Sequence, residues 1–309
     1  MVRSETTEIK LYNILGTRYW WYAISTSLII VSLVMYGLYG FRLGIDFTGG
    51  SLIQVHYQTS VPNPSTINEQ LQPVNLGDTI IQPAGDNTMI IRSRFLNDDE
   101  RQAVLAALGP DVVEDSFESV GPTVGEELQQ KAIQAIVLVI LAIVIYITWA
   151  FRSVAKGPVP SWAYGLSTII ALAHDVIITV GVFVVLGHWY GVELNAMFIT
   201  ALLTILGFSV HDTIVVFDRI REGLRRSAQR TFSGVINESI NFTLMRSLNT
   251  STTALIVLAV LFLFGGESTR WFVFALLIGI IVGTYSSIFI ASPTLLLWQK
   301  FLRGKKGSI

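Results

Sequence analysis

The chain has 309 residues, of which 51% are apolar and only 14% are charged, and its formal net charge is −1. So little charge cannot cover a soluble globule of this size, and this composition suits neither a disordered chain nor a strongly basic nucleic-acid-binding protein. The absence of cysteine excludes a disulfide framework and cysteine-ligated metal sites. The composition therefore predicts a protein embedded in a membrane.

Six apolar segments are long enough to cross a bilayer, which requires about 20 largely apolar residues. The predicted spans are residues 20–40, 132–150, 162–186, 195–217, 241–264 and 271–298. The first is longer than the apolar core of a signal peptide and lacks a cleavage pattern after it, so we expect a retained helix. With the N-terminus inside, most Lys and Arg residues outside the long loop fall on the inner side. Both termini are therefore predicted to be cytoplasmic.

The one long loop, residues 41–131, is polar enough to form a small domain on the outer side of the membrane. Alternating or β-branched runs predict four strands, and two segments predict helices. In chain order these are strand 51–58, helix 64–72, strands 78–82 and 88–92, helix 97–108 and strand 112–120. Gly85, Asp86 and Asn87 predict the turn between the middle strands, and Asn97 with Glu100 predicts a capped start of the second helix.

The resulting fold class is a polytopic α-helical membrane protein. It has six transmembrane helices and one small α+β (ferredoxin-like) periplasmic domain between the first and second helices. The predicted division is a cytoplasmic N-terminal segment 1–19, a first transmembrane helix 20–40, a periplasmic domain 41–131, a five-helix transmembrane region 132–298 with a cytoplasmic loop 218–240, and a basic cytoplasmic tail 299–309.

Four ionisable side chains lie inside predicted spans: His174, Asp175, His211 and Asp212. An ionisable group in a span costs roughly 2.5–3.5 kcal/mol on insertion scales and usually marks a pathway. Asp175 lies close to the midplane of the third span, whereas Asp212 lies nearer the cytoplasmic end of the fourth. The two histidines are interpreted either as proton-handling groups or as structural hydrogen-bonding residues.

Arg246, near the start of the fifth span, comes to a depth similar to that of Asp212, so the two side chains are expected to pair across helices. An arginine beside a buried carboxylate favours its charged form, and a contact that opens and closes would make proton binding depend on conformation. The alternative is a latch that only holds two helices together. No third metal ligand has helical spacing, so neither a metal nor another cofactor is predicted.

Small residues recur every four positions along the sixth span, at Ala275, Gly279, Gly283, Ser287 and Ala291. Such a stripe is typical of a face that packs closely on another helix. We interpret it as a packing face without chemistry.

A glycine-rich turn follows the first span, with Gly44, Asp46, Gly49 and Gly50. Glycine allows backbone angles that other residues avoid, and an aspartate can cap such a turn. The turn is interpreted either as a mechanical coupling between the first span and the outer domain or as an ordinary connection.

Five segments in this order resemble the SecD/SecF family of bacterial protein-export membrane proteins. They are GIDFTGG at 44–50, SVGPTVG at 119–125, HDTIVVFDRIRE at 211–222, NESIN at 237–241 and RSLNTS at 246–251. The resemblance extends over about residues 11–302. It is specific because the motifs occur together, in order, on six spans and one outer domain.

The resemblance implies a subunit of the accessory complex of the Sec translocase in the bacterial inner membrane. Such a subunit works with SecD beside the SecYEG channel, often with YajC, on a translocating polypeptide. The family belongs to the resistance–nodulation–division superfamily, in which proton flow through the membrane part moves an outer domain. Asp212 and Arg246 match the family's proton-handling aspartate and arginine, while His211 stands where the family often has an amide.

Two other functions remain open at this stage. One is a proton-coupled half-transporter of the same superfamily that exports lipids or small molecules. The other is a scaffold of the translocon that moves no protons. An enzyme is not expected, because the sequence contains no nucleophile–base constellation and no phosphate-binding loop.

Overall fold

The protein is described by a computed structural model over residues 11–84, 87–152, 157–226 and 231–306. Parts of the predicted N-terminal segment and tail lie outside these ranges, as do Gly85 and Asp86 of the predicted turn. The chain forms two compact units. The first consists of residues 1–41, 136–192 and 197–309, and the second of residues 42–135 and 193–196.

Six helical segments have the length and hydropathy needed to cross a membrane, as predicted. The helices that form them are α1 (Arg18–Tyr39), α5 (Pro122–Ala150), α6 (Ser161–Tyr190), α7 (Ala196–Arg226), α8 (Phe232–Phe264), α9 (Glu267–Ser286) and α10 (Ser292–Lys306). Helix α5 begins ten residues before the predicted span, and α7 and α8 extend well into the region predicted as a cytoplasmic loop. Polar helical turns continue these helices beyond their apolar parts.

Helices α9 and α10 belong to one helical segment and are joined by a π turn at Ser287–Ala291. The Ser292 hydroxyl donates to the carbonyl of Ser287, five residues earlier, at 3.0 Å. A π turn rotates the side chains that follow it relative to a regular α-helix, and such turns are frequent at functional sites.

Helices α6 and α7 and the segment α9–α10 are the most buried spans of the first unit, whereas α1, α5 and α8 are mostly exposed. Small residues bring the buried helices close together. A Cβ atom on Gly279 would lie 2.2 Å from Ile205 Cδ1, and one on Gly283 would lie 3.0 Å from Ser209 Cβ. The predicted stripe on the sixth span therefore does pack on α7, as its small residues indicate.

The segment before α1 is held against α8 by two asparagines. Asn241 accepts from Tyr12 N at 2.8 Å and donates to Tyr12 O at 2.9 Å. Asn237 donates to Tyr12 O at 2.9 Å and accepts from Leu15 N at 3.2 Å. We call these two residues the asparagine clamp. It satisfies main-chain groups of the non-helical segment before α1, which form no regular secondary structure of their own.

The second unit contains a four-stranded antiparallel sheet in the order β2-β3-β1-β4. Its elements are the short helix α2 (Ile45–Thr48), β1 (Gly50–Tyr57), α3 (Pro64–Leu71), β2 (Ile80–Pro83), β3 (Thr88–Ser93), α4 (Asp98–Leu108) and β4 (Val112–Val120). Alternate residues of β1, including Ile53 and Val55, are buried with Ile67 of α3 and Val104 of α4. The predicted β-α-β-β-α-β order and ferredoxin-like topology are confirmed.

Helix α4 begins at the capping box that the sequence predicts. The Asn97 side chain accepts from Glu100 N at 2.9 Å, and the Glu100 side chain accepts from Asn97 N at 3.0 Å. The two contacts satisfy two main-chain donors at the start of the helix. They fix the place where the chain turns from β3 into α4.

Candidate functional site

Asp212 lies in the middle of α7 and is only 9% exposed. One carboxylate oxygen accepts a hydrogen bond from the Ser247 hydroxyl of α8, and the other accepts from the Ser287 hydroxyl of the π turn. Three different helical segments therefore meet at this carboxylate. Hydroxyl donors stabilise a buried negative charge and can turn away when the carboxyl group takes up a proton.

Arg246, on α8, lines the same cavity as the Asp212 carboxylate. The predicted contact between the two side chains is not formed. A small cavity is lined by Phe208, His211, Asp212, Val215, Arg246, Ser247 and Thr250. Among the described residues, Arg246 and Asp212 form no ion pair, and both Arg246 and His211 are exposed. Ser247, the next residue along α8, takes the expected place of the arginine because its short side chain faces into the helix bundle.

Asp175, on α6, is completely buried. Its Oδ2 atom accepts from the Ser209 hydroxyl of α7 at 2.6 Å and from the Ser286 hydroxyl of α9 at 2.9 Å. Its Oδ1 atom lies 2.9 Å from Nδ1 of the neighbouring His174. The carboxylate thus has three partners, which is the expected compensation for burying an ionisable group in a membrane span.

His174 extends this cluster to the first helix. Its Nε2 atom lies 3.1 Å from the Ser25 hydroxyl, which lies 3.0 Å from the Tyr285 hydroxyl. Tyr285 donates to Trp21 O at 3.0 Å, so its single hydrogen is used and Ser25 must donate to it. All contacts are satisfied only if His174 Nε2 also donates. His174 and Asp175 then share one proton, either as imidazolium with carboxylate or as neutral imidazole with carboxylic acid.

Both aspartates stand out in the sequence as candidate site residues, whereas their serine partners do not. Ser287 belongs to the stripe predicted as a packing face without chemistry, yet its hydroxyl donates to Asp212, an interaction that this prediction did not include. Ser286 and Ser247 received no role. The available signal was that Ser287 is the single hydroxyl residue in a stripe of alanine and glycine.

The glycine-rich turn of the second unit is bonded to residues 193–196. Asp46 Oδ2 accepts from Ala196 N, the first residue of α7, at 2.7 Å. Gly44 N donates to Leu194 O at 2.8 Å, and Leu194 N donates to Arg42 O at 2.8 Å. A carboxylate at the N-terminus of a helix is stabilised by unpaired N–H groups and the helix dipole. Within the second unit, Asp46 thus accepts from the residue at which α7 begins.

Arg92 of β3 strengthens the same connection. Its guanidinium forms an ion pair with Glu193 and donates to Leu43 O at 3.0 Å and to Thr48 Oγ1 at 2.9 Å. Burial raises the pKa of the Glu193 carboxyl, although the neighbouring Arg92 acts in the opposite direction. One arginine of the sheet therefore fixes both the turn and the segment before α7.

Gly49 and Gly50 have the positive φ values of 70° and 126°. A Cβ atom on Gly49 would lie 2.8 Å from Pro122 Cα, and one on Gly50 would lie 2.8 Å from Ser93 O. Both the backbone angle and the space therefore require glycine. Gly44 differs, since its φ is −74° and its place is set by its hydrogen bonds.

Within the described residues, no group of three or more His, Cys, Asp or Glu side chains has the geometry of a metal site. The chemistry that this arrangement supports is the uptake and release of protons at buried carboxyl groups. Such chemistry needs titratable groups, neighbouring hydroxyls and a structure that changes with charge.

Comparisons with known proteins agree with these features. Residues 100–301 match the family described as protein export membrane protein SecD/SecF, C-terminal, and residues 37–61 match the SecD/SecF GG motif. Protein translocase subunit SecF of Anaerolinea thermophila is 40% identical over 308 residues, covering 96% of this chain and 99% of that protein. The same subunit of Thermobaculum terrenum is 40% identical over 310 residues, covering 95% and 96%.

Solved structures of SecDF show the same fold. The crystal structure of SecDF from Thermus thermophilus, a translocon-associated membrane protein, has a TM-score of 0.81 at 32% identity. The alignment covers 94% of this chain but 39% of the SecDF chain. SecDF in its super-membrane-facing form gives a TM-score of 0.69 at 30% identity, covering 96% and 40%. From the motifs, the full-length relatives and the shared fold, we conclude that the chain is a membrane protein of the SecD/SecF protein-export family.

Proposed function

We propose that the chain acts as a SecF-type subunit of the protein translocase and uses the proton motive force to drive late stages of polypeptide translocation. The observation that carries this proposal is Asp212, a buried carboxylate held by hydroxyls from two other helical segments. It occurs in a chain that resembles translocase subunits over almost its full length.

Proton uptake at Asp212 supplies the free energy in this proposal. Moving one charge through 100 mV yields about 2.3 kcal/mol, which is enough to change an equilibrium constant by more than tenfold. Arg246, across the cavity, is the group that we propose to pair with Asp212 in another state of the cycle. His211 and Asp175 are proposed as further proton-handling groups. Asp46 and the glycines of the turn are proposed to couple the first span mechanically to the outer domain.

The proposed partners are SecD, the SecYEG channel, YajC and the translocating polypeptide. The distribution of Lys and Arg supports an inner-membrane orientation with both termini cytoplasmic and the β-sheet domain periplasmic. We also propose that the chain catalyses no covalent reaction and acts by changing conformation.

An export assay in membrane vesicles tests this function. Vesicles that contain the full chain, SecD and SecYEG receive a stalled precursor and an imposed proton gradient. We expect Asp212→Asn and Arg246→Met to abolish the acceleration by the gradient and to leave ATP-driven translocation unchanged. Asp218→Asn is the matched control, because Asp218 lies on the same helix but is exposed.

Assembly with SecD is measured in the same vesicles, so that loss of the complex is not mistaken for loss of coupling. If export stays dependent on the gradient in both variants, Asp212 and Arg246 are not the coupling pair, and the proposed role of Asp212 is wrong. If export shows no gradient dependence even with the unsubstituted chain in an intact complex, the scaffold function is supported instead.

A further inference from the structure

Two consecutive serines contact the two buried aspartates of the first unit. Ser286 donates to Asp175 at 2.9 Å, and Ser287 donates to Asp212. All four residues are buried. Because the serines are adjacent in the chain, a change in one hydrogen bond acts directly on the backbone that positions the other.

Each of these hydroxyls has one hydrogen and two acceptors within reach. Besides Asp175, the Ser286 hydroxyl lies 3.1 Å from Gly283 O, and besides Asp212, the Ser287 hydroxyl lies 3.0 Å from Thr284 O. A hydroxyl can donate to only one of them at full strength. An ionised carboxylate attracts the hydrogen most strongly, whereas a protonated carboxyl group leaves it free to turn to the helix carbonyl.

The carbonyl of Gly283 links the two serines. It accepts the main-chain N–H of Ser287 and lies within reach of the Ser286 hydroxyl. Ser287 is also the first residue of the π turn, and its own carbonyl accepts from Ser292. Because the main-chain pairing changes from α to π at Ser287, the backbone at this residue can exchange one set of hydrogen bonds for another.

We propose that Asp175 and Asp212 form one coupled proton-binding unit, and that Ser286 and Ser287 connect them at the start of the π turn. The inference rests on the proposed function, in which Asp212 takes up and releases a proton. It adds the coupling between Asp175 and Asp212 and the two positioning residues, Ser286 and Ser287, that join them.

The proton exchange is balanced at each carboxyl group. A proton that binds to Asp212 forms one O–H bond, which donates to Ser287 Oγ, while the hydrogen of Ser287 turns to Thr284 O. Release of the proton breaks that O–H bond and reverses the turn. At Asp175 the proton that takes part is one that binds to Oδ2 and donates to Ser286 Oγ, while the proton between His174 Nδ1 and Asp175 Oδ1 stays in place. The Ser286 hydrogen then turns to Gly283 O, where it competes with the N–H of Ser287. Proton binding at one carboxyl group thereby alters the position of the donor to the other.

Other charged or titratable groups surround the unit. His174 and, through Ser25, Tyr285 lie on the side of Asp175. His211 and Arg246 line the cavity next to Asp212. Ser209 contacts Asp175 from α7, one turn before Asp212, and gives the two sites a second, weaker connection.

The test is a double-variant comparison in the vesicle export assay. We expect Ser287→Ala to lower the gradient-driven rate about tenfold, the effect of losing one hydrogen bond to a charged group. Asp175→Asn removes the titratable carboxyl group itself and should lower the rate by at least as much. Because both changes break the same unit, the combined variant should be no slower than the slower single variant. Ser287→Thr keeps the hydroxyl and should restore most of the rate.

The matched control is Ser251→Ala. Ser251 is a buried serine on α8 whose hydroxyl donates to the carbonyls of Ser247 and Leu248 and contacts no carboxylate. If an alanine variant does not assemble with SecD, Ser287→Cys replaces it, since a thiol fills a similar volume but is a weak donor.

Two results would overturn the inference. One is an unchanged rate in Ser286→Ala and Ser287→Ala, and the other is a combined loss of about a hundredfold, the product expected of independent sites. The proposed function is judged separately by Asp212→Asn. If that variant loses gradient dependence while the serine variants do not, Asp212 acts alone and only the link is wrong.

Discussion

At Gly50 the main chain has a φ of 126°, and a Cβ atom would lie 2.8 Å from the carbonyl oxygen of Ser93. We therefore expect Gly50→Ala to destabilise the second unit by about 1–3 kcal/mol, the usual cost of a strained backbone position. Thermal unfolding or limited proteolysis of the purified chain measures the change. Gly121→Ala is the control, because Gly121 has no positive φ and no atom within 4 Å of the added Cβ. Equal stability of the two variants would contradict the steric explanation.

The aspartates could be predicted at this scale, whereas their partners could not. A charge within an apolar span is rare and expensive, so Asp175 and Asp212 stand out in any hydropathy profile. Serine is common in membrane helices and usually bonds to its own backbone. Whether Ser287 faces Asp212 or the packed backbone depends on the helix crossing and on the π turn, and neither leaves a pattern in the sequence.

At the scale of the element, the capping box of α4 makes its stability depend on pH. The Arg94 guanidinium and the main-chain N–H of Asn97 hold the pKa of Glu100 below its ordinary value of 4.5. The stabilisation is complete above that value and is lost as pH falls through the lower pKa of the folded domain. We expect hydrogen exchange of the α4 amides to accelerate in that range.

Glu100→Gln keeps the capping geometry, because glutamine also accepts from the N-cap. This variant should lose most of the acid dependence of α4. Asp99→Asn is the control, since Asp99 is exposed in the same turn and forms no ion pair among the described residues. An acid dependence that persists in Glu100→Gln would assign the effect to another carboxyl group.

Most elements were predictable because their signals are local. The strands alternate, and Asn97 with Glu100 fixes the start of α4. Helix ends near the membrane were harder to predict. Hydropathy detects only the apolar part of a helix, and α5 begins at Pro122 with polar turns that include Glu126 and Glu127. The start of α4 was therefore predictable because a capping motif marks it, whereas the start of α5 lies in polar turns that hydropathy does not detect.

At the scale of the whole molecule, the asparagine clamp joins parts of the chain that are more than two hundred residues apart. Each clamp residue donates to Tyr12 O. We expect Asn237→Ala combined with Asn241→Ala to release the segment before α1. The native chain has no cysteine, so a single cysteine in Leu11→Cys can report the release by maleimide labelling. The expected increase in labelling rate is about tenfold or more.

Asn249→Ala serves as the control for this labelling experiment. Asn249 is exposed on the same helix α8 and takes no part in the clamp. A labelling rate that does not differ between the clamp variant and the control would show that apolar contacts, such as those of Ile14 and Leu15, hold the segment in place.

The asparagine clamp also has a consequence for biosynthesis. A ribosome synthesises Tyr12 long before Asn241, so the segment before α1 is made while its final partner is still absent. The four strands of the β-sheet domain after α1, by contrast, are all present once β4 has been made. The order of synthesis therefore lets the strands of the β-sheet domain pair before the segment preceding α1 has its partner, and the synthesis of α8 completes the clamp.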